Sequence, residues 1–225
     1  MKTLLIIAAI LLMACNNLNT ATQNDSLPAL PDELRIGRNA FSRDTVPAFS
    51  FPTITDDQRM TLQQKSGLVV PDSTMVIGSR KVNGNCTLEA YLVPSGEIPS
   101  DFKIYLTTRG SDGYGIHTIE LDRFHTCQYQ GKPRLGGNRY YTTDAELRFD
   151  GDTRFTLHRV MTLTSIFLKD RSTHEMWRVE WDNLYEIDAS GHIIFIGQQE
   201  TLRSPADLDD PVIDQYMSRD RQSTK

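Results

Sequence analysis

A two-residue alternation of apolar and polar side chains, broken at intervals by turn residues, constrains this chain more than any other feature. It extends from residue 73 to residue 202 and is the period of a β-strand with one buried and one wet face. Asn83-Gly84 is the strongest hairpin signal, because both central residues of a type I′ turn need a positive φ. It joins predicted strands at 74–82 and 85–93.

About eight strands are predicted, most of them joined to their sequence neighbours. The first hairpin pairs Met75 with Leu92 and Ile77 with Ala90. The later strands are predicted at 101–108, 114–122, 145–149, 153–164, 175–188 and 192–201. Such a meander must hide its edges and its apolar face. We therefore expect an all-β fold: an up-and-down barrel, a strongly curved open sheet or a two-layer sandwich.

Two short helices are predicted at the periphery of the β structure. Thr55 offers a helix cap and Gln58 completes a capping box, so the first helix covers roughly residues 56–65. Asp210 is a second cap, with Pro211 at the first helical position and an apolar stripe after it. A stripe at helical spacing is usually core-facing, so this helix is expected to dock on the sheet.

The amino-terminal segment has the layout of an export signal. Lys2 supplies a positive start, residues 4–13 are apolar, and a small residue precedes Cys15. The run is too short to span a bilayer, which takes about 20 residues. Leu12-Met13-Ala14-Cys15 matches the lipobox, so the chain resembles bacterial lipoprotein precursors. The resemblance implies removal of residues 1–14, a diacylglycerol on the Cys15 sulfur and an acyl chain on its amino group. A secretory signal cut elsewhere is the alternative.

Residues 15–33 are predicted to be a lipidated flexible tether. They are small and polar with two prolines, so they cannot bury enough apolar surface to order themselves. A single β domain is then expected at 34–220, with its core at 73–202. Residues 221–225 are expected to form a frayed tail.

The resemblance also bears on location. Position 16 is Asn rather than the Asp that favours retention in the inner membrane, which implies the outer membrane. The first acid after Cys15 is Asp25, later than in surface-displayed lipoproteins, which favours a domain facing the periplasm. The chain as a whole resembles uncharacterised envelope lipoproteins of Bacteroidetes-type bacteria, a resemblance that implies no activity.

The net charge bears on whether the chain binds nucleic acid, and the cysteine content bears on whether it forms a disulfide. The formal net charge is −5, whereas phosphate-backbone binding needs a basic patch, so no nucleic-acid partner is predicted. With Cys15 lipidated, Cys86 and Cys127 remain. In an exported chain they form either a disulfide, which would stabilise the fold by roughly 4 kcal/mol, or two buried free thiols. Sequence alone does not fix the pairing geometry.

No motif specifies catalysis, a metal site or a cofactor. The sequence has no serine in hydrolase-elbow spacing and no phosphate-cradling loop. The five histidines share no predicted rung, since the turn at Gly151 sets His158 opposite Ala145. His117 and His125, with acids between them, are the best remaining group, and a wet strand end is the simpler interpretation of them.

Glu180 and Asp182 are the best candidate carboxylates for sugar hydrolysis, because they point the same way on one strand about 7 Å apart. They alternate with Trp177, Val179 and Trp181, so the simpler interpretation is a solvated, charge-mixed sheet face. The two tryptophans then belong to the core rather than to a stacking platform for sugars.

Residues 128–143 interrupt the meander with three Gly, one Pro, three Tyr and three basic residues. Loops of this length are often functional, and Tyr and Arg commonly anchor recognition surfaces. A binding loop and a flexible connection are both consistent with the pattern. The candidate binding residues are Tyr129, Arg134, Arg139, Tyr140 and Tyr141.

The sequence thus favours a lipid-anchored envelope protein whose β domain binds a ligand or partner without catalysing a reaction. One alternative is a hydrolase of envelope or dietary glycans that uses Glu180, Asp182 or the group between His117 and His125. Another is a structural subunit of an outer-membrane complex, which an exposed apolar patch larger than a few hundred Å² would indicate.

Overall fold

A computed structural model of the chain describes residues 27–35, 51–84, 86–94, 102–123, 127–128, 137–167 and 172–222. The predicted signal peptide, Cys15 and the first part of the predicted tether lie outside the described residues. No helix in the described ranges is long and apolar enough to cross a membrane.

Two antiparallel sheets form the body of the protein, which confirms the all-β prediction. The small sheet contains β2 (Met75–Val82), β3 (Cys86–Pro94), β4 (Phe102–Gly110) and β5 (Gly115–Arg123), adjacent in that order. The large sheet contains β1 (Glu33–Arg35), β6 (Cys127–Gln128), β7 (Gly137–Asp150), β8 (Arg154–Phe167), β9 (Thr173–Ile187) and β10 (Ile193–Ser204). Its order is β1-β7-β8-β9-β10, and β6 pairs with β7.

The two sheets share one apolar core. Leu88, Ala90 and Leu92 alternate inward from β3, and Phe155 and Leu157 alternate inward from β8. These side chains are at most 1% exposed, so the faces that meet are dry. Of the three predicted closures, the described strands adopt the two-layer sandwich and not a closed barrel.

The large sheet extends beyond the small one, because β7, β8 and β9 have 14 or 15 residues and the small-sheet strands have 8 or 9. Helix α2 (Pro211–Gln222) covers the remaining inner face. Asp210 caps it as predicted, since its Oδ1 accepts the Val212 N–H at 3.0 Å. The buried residues beneath are Tyr141, Met161, Leu163, Trp177, Val179 and Trp181, and Ile213 of the helix packs with them.

Helix α1 (Asp56–Ser66) lies at the outer face of the small sheet. The predicted capping box forms, because the Thr55 hydroxyl accepts the Gln58 N–H and the Gln58 side chain accepts the Thr55 N–H. Leu62 is fully buried on this face. It packs with Tyr91 and Tyr105 of the sheet.

Three local predictions are corrected. A bulge after Val76 sets Gly78 rather than Ile77 opposite Ala90, although Met75 pairs with Leu92 as expected. A Cβ at Gly78 would lie 2.9 Å from the Pro28 carbonyl, so the bulge lets the amino-terminal segment dock there.

That segment was expected to be part of the tether. Instead Leu30 is 5% exposed, its N–H donates to the Ser79 carbonyl at 2.8 Å, and β1 pairs with β7. The ordered part of the domain therefore begins before residue 34, because Leu30 supplies an apolar anchor that packs in the shared core.

The third correction concerns β7, which begins at Gly137 rather than at Ala145. Part of the predicted loop is therefore strand, since β7 pairs with β8 along its whole length. The observed register sets His158 opposite Glu146, one residue from the predicted partner Ala145.

Candidate functional site

Three of the five residues predicted for a binding loop lie on β7. Tyr141 is 5% exposed, with its ring 5.7 Å from that of Trp177 and its hydroxyl donating to Asp210 at 3.1 Å. It anchors α2 to the sheet and is a core residue, which corrects its assignment to a recognition surface. Arg139 and Tyr140 lie within β7. Tyr129 and Arg134 lie outside the described residues.

The two remaining cysteines lie in different sheets, Cys86 on β3 of the small sheet and Cys127 on β6 of the large sheet. Cys86 is a buried free thiol, and its Sγ approaches within 3.0 Å of the Cβ position of Gly191, in the turn after β9. The backbone of Cys127 pairs with Tyr141, near the opposite end of the large sheet. Strand rise separates the two ends by about 30 Å, and a disulfide needs Cα atoms within about 7 Å. Of the two alternatives left open by the sequence, this arrangement favours two free thiols over a disulfide.

Two histidines that sequence reasoning kept apart meet where β5 lies beside β10. The rings of His117 and His192 have centroids 5.5 Å apart, and His117 Nδ1 accepts the Ile193 N–H at 3.0 Å. Burial lowers the pKa of His117, and His192 and Lys65 lower it further. The contact between the two rings joins the edges of the two sheets. His125 lies outside the described residues.

Ser190, beside this pair, does not form a catalytic relay. Its hydroxyl donates to Asp188 at 2.6 Å and contacts His192 Nδ1 at 2.8 Å. In nucleophilic catalysis the carboxylate orients the second nitrogen of the histidine instead of binding the serine. The three residues are exposed and close the turn between β9 and β10.

The outer face of the large sheet carries the even-numbered side chains of β7, β8 and β9. Their burial alternates with that of the odd-numbered side chains, which point into the core. His158 lies at the centre of this face, on one rung with Glu146 and Asp182. Its Nδ1 contacts Asp182 Oδ1 at 2.8 Å, and its Nε2 lies 3.5 Å from Glu180 Oε2. Pairing of β8 with β9 thus brings His158 together with Glu180 and Asp182.

Each arginine of this face is engaged by a carboxylate. Arg148 donates to Glu146 at 3.1 Å and 3.2 Å, which lowers the pKa of Glu146. Arg154 lies 3.1 Å from Glu186, and Arg178 lies 2.5 Å from Glu180. Asp144 and Asp182 form no ion pair with a Lys or Arg among the described residues, although Asp182 is near enough to Arg148 to add to the rise in its pKa that the hydrogen bond to Glu146 causes. With Asp150 at the end of β7, six carboxylates therefore face three arginines, and the outer face is acidic.

The chemistry open to this cluster is limited by how its groups face one another. The two imidazole nitrogens of His158 point at different carboxylates, so no one ion can bind all three side chains. Among the residues that the structure describes, no group of three or more His, Cys, Asp or Glu side chains is arranged to hold a metal ion. Glu180 is held by Arg178, a partner that suits a fixed sheet face better than proton donation to a leaving group.

Apolar side chains stand beside these charges. The structure exposes eight large apolar side chains in its described ranges, and five of them lie on β9 and β10. Four form what we call the apolar strip: Leu184, Ile194, Ile196 and Leu202. The fifth is Met176, near the start of β9. Trp177 and Trp181 point the other way and are buried, as expected of core residues.

The strip was missed in the sequence because β10 was interpreted as an ordinary half-buried strand. Ile193-Ile194-Phe195-Ile196 is a continuous apolar run, and on a strand such a run places apolar side chains on both faces. Ile193 is indeed buried, whereas Ile194 and Ile196 are 46% and 54% exposed. This run is the signal that could have located the strip.

No family model, no curated protein and no solved structure matches the chain.

Proposed function

We propose that this protein is a lipid-anchored module of the cell envelope that binds a protein partner through the outer face of its large sheet and catalyses no reaction itself. The observation that carries the proposal is the exposure of the apolar strip on β9 and β10. Grouped apolar side chains rimmed by polar ones mark interaction sites on folded domains. The acidic groups beside the strip supply that rim.

The anchor gives the surface its setting. Leu12-Met13-Ala14-Cys15 resembles a lipobox, and acylation of Cys15 would hold the domain at the membrane. Asn16 after it supports the outer membrane, with the domain facing the periplasm. A tethered domain meets envelope partners at a raised effective concentration, so a modest surface is sufficient for binding.

A structural subunit of an outer-membrane complex is the second candidate, since the same strip favours it. Permanent subunit interfaces are larger and more apolar than exchangeable ones. Glu180, Asp182 and Asp144 lie on the same outer face as the strip, and this charge favours a partner that exchanges. A glycan hydrolase is less well supported, because Glu180 and Asp182 are engaged by Arg178 and His158.

Affinity capture from the native envelope tests the proposed function. The baits are the lipidated wild type, Ile196→Asp and the matched control Val69→Asp, whose side chain is 88% exposed and lies outside the strip. We expect the wild type and Val69→Asp to capture the same partner and Ile196→Asp to lose most of it. Capture of one partner set by all three baits would contradict a role for the strip. Equal thermal unfolding of the three proteins is the control.

The anchor is tested separately by mass spectrometry of the mature chain. The proposal predicts an amino-terminal Cys15 carrying a diacylglycerol and an acyl chain, and Cys15→Ser should release the protein from the membrane fraction. A mature chain with a free, unacylated amino terminus would refute the anchor and leave the capture experiment unaffected.

A further inference from the structure

Apolar and acidic side chains alternate along the paired strands β9 and β10, and their order indicates which side chains a partner needs. Leu184 lies opposite Gly197, Asp182 opposite Gln199, and Glu180 opposite Leu202. Along the sheet the order is therefore apolar, acidic, apolar, since Leu202 flanks Glu180. Strand rise places the two apolar ends about 13 Å apart, with Asp182 between them.

The first apolar end has room for an inserted side chain. Leu184 and Ile196 are exposed, and Gly197 between them carries no side chain. A Cβ built at Gly197 meets no other atom within 4 Å. The position is an open notch between two apolar side chains, with Ile194 exposed on the strand beyond it.

The centre of the strip is acidic, and the arginines beside it are already paired with other carboxylates. Among the described residues Asp182 forms an ion-pair contact with His158, while Arg178 and Arg154 are engaged by Glu180 and Glu186. Charge complementarity across an interface selects the partner's sign, because like charges brought together are strongly unfavourable. A lysine or arginine opposite Asp182 satisfies this surface, and an acidic partner does not.

Addition of a partner strand to the edge of β10 is disfavoured by the backbone. Bulges interrupt β10 between Phe195 and Gly197 and between Glu200 and Leu202. Bulges break the regular row of donors and acceptors that an added strand needs, and they are a common way to protect a sheet edge. The partner therefore binds through side chains on the outer face.

We infer that the occupant of this surface is a protein partner that presents an extended segment with the pattern apolar, any, basic, any, apolar, laid along β9 and β10. Side chains of an extended segment repeat on one face every second residue, so the two apolar groups reach Leu184 and Leu202 while the cation faces Asp182. This inference rests on the proposed function and specifies the chemistry of the partner. An anionic lipid surface is a poor occupant, because the acidic face repels it.

The test uses the mature lipidated chain in a neutral detergent and two labelled probes. One is a nine-residue peptide with Ile at positions 3 and 7, Lys at position 5 and Thr elsewhere, and the other has Glu in place of Lys. Fluorescence anisotropy should give binding of the Lys peptide about tenfold tighter than binding of the Glu peptide. The difference should shrink as salt is raised.

Variants assign that binding to the strip. We expect Ile196→Asp to abolish binding of the Lys peptide and Asp182→Asn to reduce its advantage over the Glu peptide, whereas Val69→Asp leaves both unchanged. Equal affinities for the two peptides, no binding of either, or equal loss in Val69→Asp would overturn the inference. Unfolding curves of the variants identify any loss caused by misfolding, and Leu184→Ser then serves as a second strip variant.

Two further measurements separate the other occupants. Sedimentation that shows a dimer lost in Ile196→Asp would overturn the inference in favour of a second copy of this chain. Strip-dependent binding to vesicles containing phosphatidylglycerol would overturn it in favour of a lipid surface. If strip-dependent capture from the envelope succeeds while the peptides fail, the inference falls and the proposed function stands. If capture does not depend on Ile196, the proposed function falls.

Discussion

The outer face of the small sheet lies under α1, whereas no described element covers the outer face of the large sheet along β8 to β10. The covered face buries polar groups in pairs. Tyr91 donates to Glu89, Arg109 lies 3.5 Å from Glu89, and Arg109 donates to Thr61 of the helix at 2.8 Å. The open face does the reverse and exposes apolar side chains such as Ile196.

This difference shows that the polarity of its side chains does not by itself distinguish a covered sheet face from an open one. A buried charge is tolerated where it is paired and hydrogen-bonded, as Glu89 is beneath α1. An exposed apolar group has no such compensation within the described structure. The contrast therefore supports the outer face of the large sheet as the proposed binding surface.

The largest expected effect separates the two faces by stability. Leu62→Ala on the covered face should lower the free energy of unfolding by about 2–5 kcal/mol, because it leaves a cavity under α1. Leu184→Ala on the open face should change it by about 0.5 kcal/mol or less. Urea denaturation measures both. Similar losses in the two variants would mean that the open face is packed against something in the free protein.

Removal of one buried hydroxyl gives a smaller effect. Tyr91→Phe leaves the Glu89 carboxylate without the donor that now contacts it, so the free energy of unfolding should fall by about 1–3 kcal/mol. Tyr114→Phe is the matched control, since Tyr114 is exposed, and should have no effect. An unchanged free energy of unfolding in Tyr91→Phe would show that the stability of the covered face does not depend on its polar pairs.

The seam between the two sheets predicts a dependence on pH. Burial and His192 lower the pKa of His117 below its ordinary value of 6.5, so the folded protein takes up this proton less readily than the unfolded chain. Stability is therefore fully present above pH 6.5 and declines as the pH falls through the lowered pKa of His117. Protonation also removes the acceptor of the Ile193 N–H.

Thermal unfolding between pH 8 and pH 5 measures this dependence of stability on pH. His117→Asn keeps a side-chain acceptor but does not titrate, so its stability should vary less with pH than that of the wild type. An identical pH profile in the two proteins would assign the dependence to other groups.

The smallest expected effect on stability belongs to the thiols. Labelling of the unreduced chain in denaturant should find both Cys86 and Cys127 reactive, because Cys86 of the small sheet lies beside the Gly191 turn and Cys127 pairs with Tyr141 near the opposite end of the large sheet. A reducing agent should accordingly leave the urea midpoint unchanged. Unreactive thiols that appear only after reduction would restore the disulfide interpretation.

Local sequence signals predicted much of this fold. The positive φ of Asn83 and Gly84 follows from their turn, and both helices begin at the caps that Thr55 and Asp210 provide. These features depend on a few adjacent residues. The choice of a sandwich over a barrel was beyond the sequence, because both closures need the same alternation.

The candidate site was less accessible, because it depends on register. A one-residue error placed His158 opposite Ala145 instead of Glu146. Its contact with Asp182 depends on the register of β8 with β9, which was not predicted. A slip of one residue exchanges the two faces of a strand. The exposure of Ile194 depends on what covers the large sheet, which alternation along one strand does not specify.

Site-specific photo-crosslinking in the intact envelope tests the location of the binding surface most directly. A photoreactive residue replaces Ile196 in one protein and Val69 in another, and both side chains are exposed. We predict that position 196 forms a crosslink to one envelope protein and that position 69 does not. Crosslinks at position 69 with none at position 196 would contradict binding through the outer face of the large sheet.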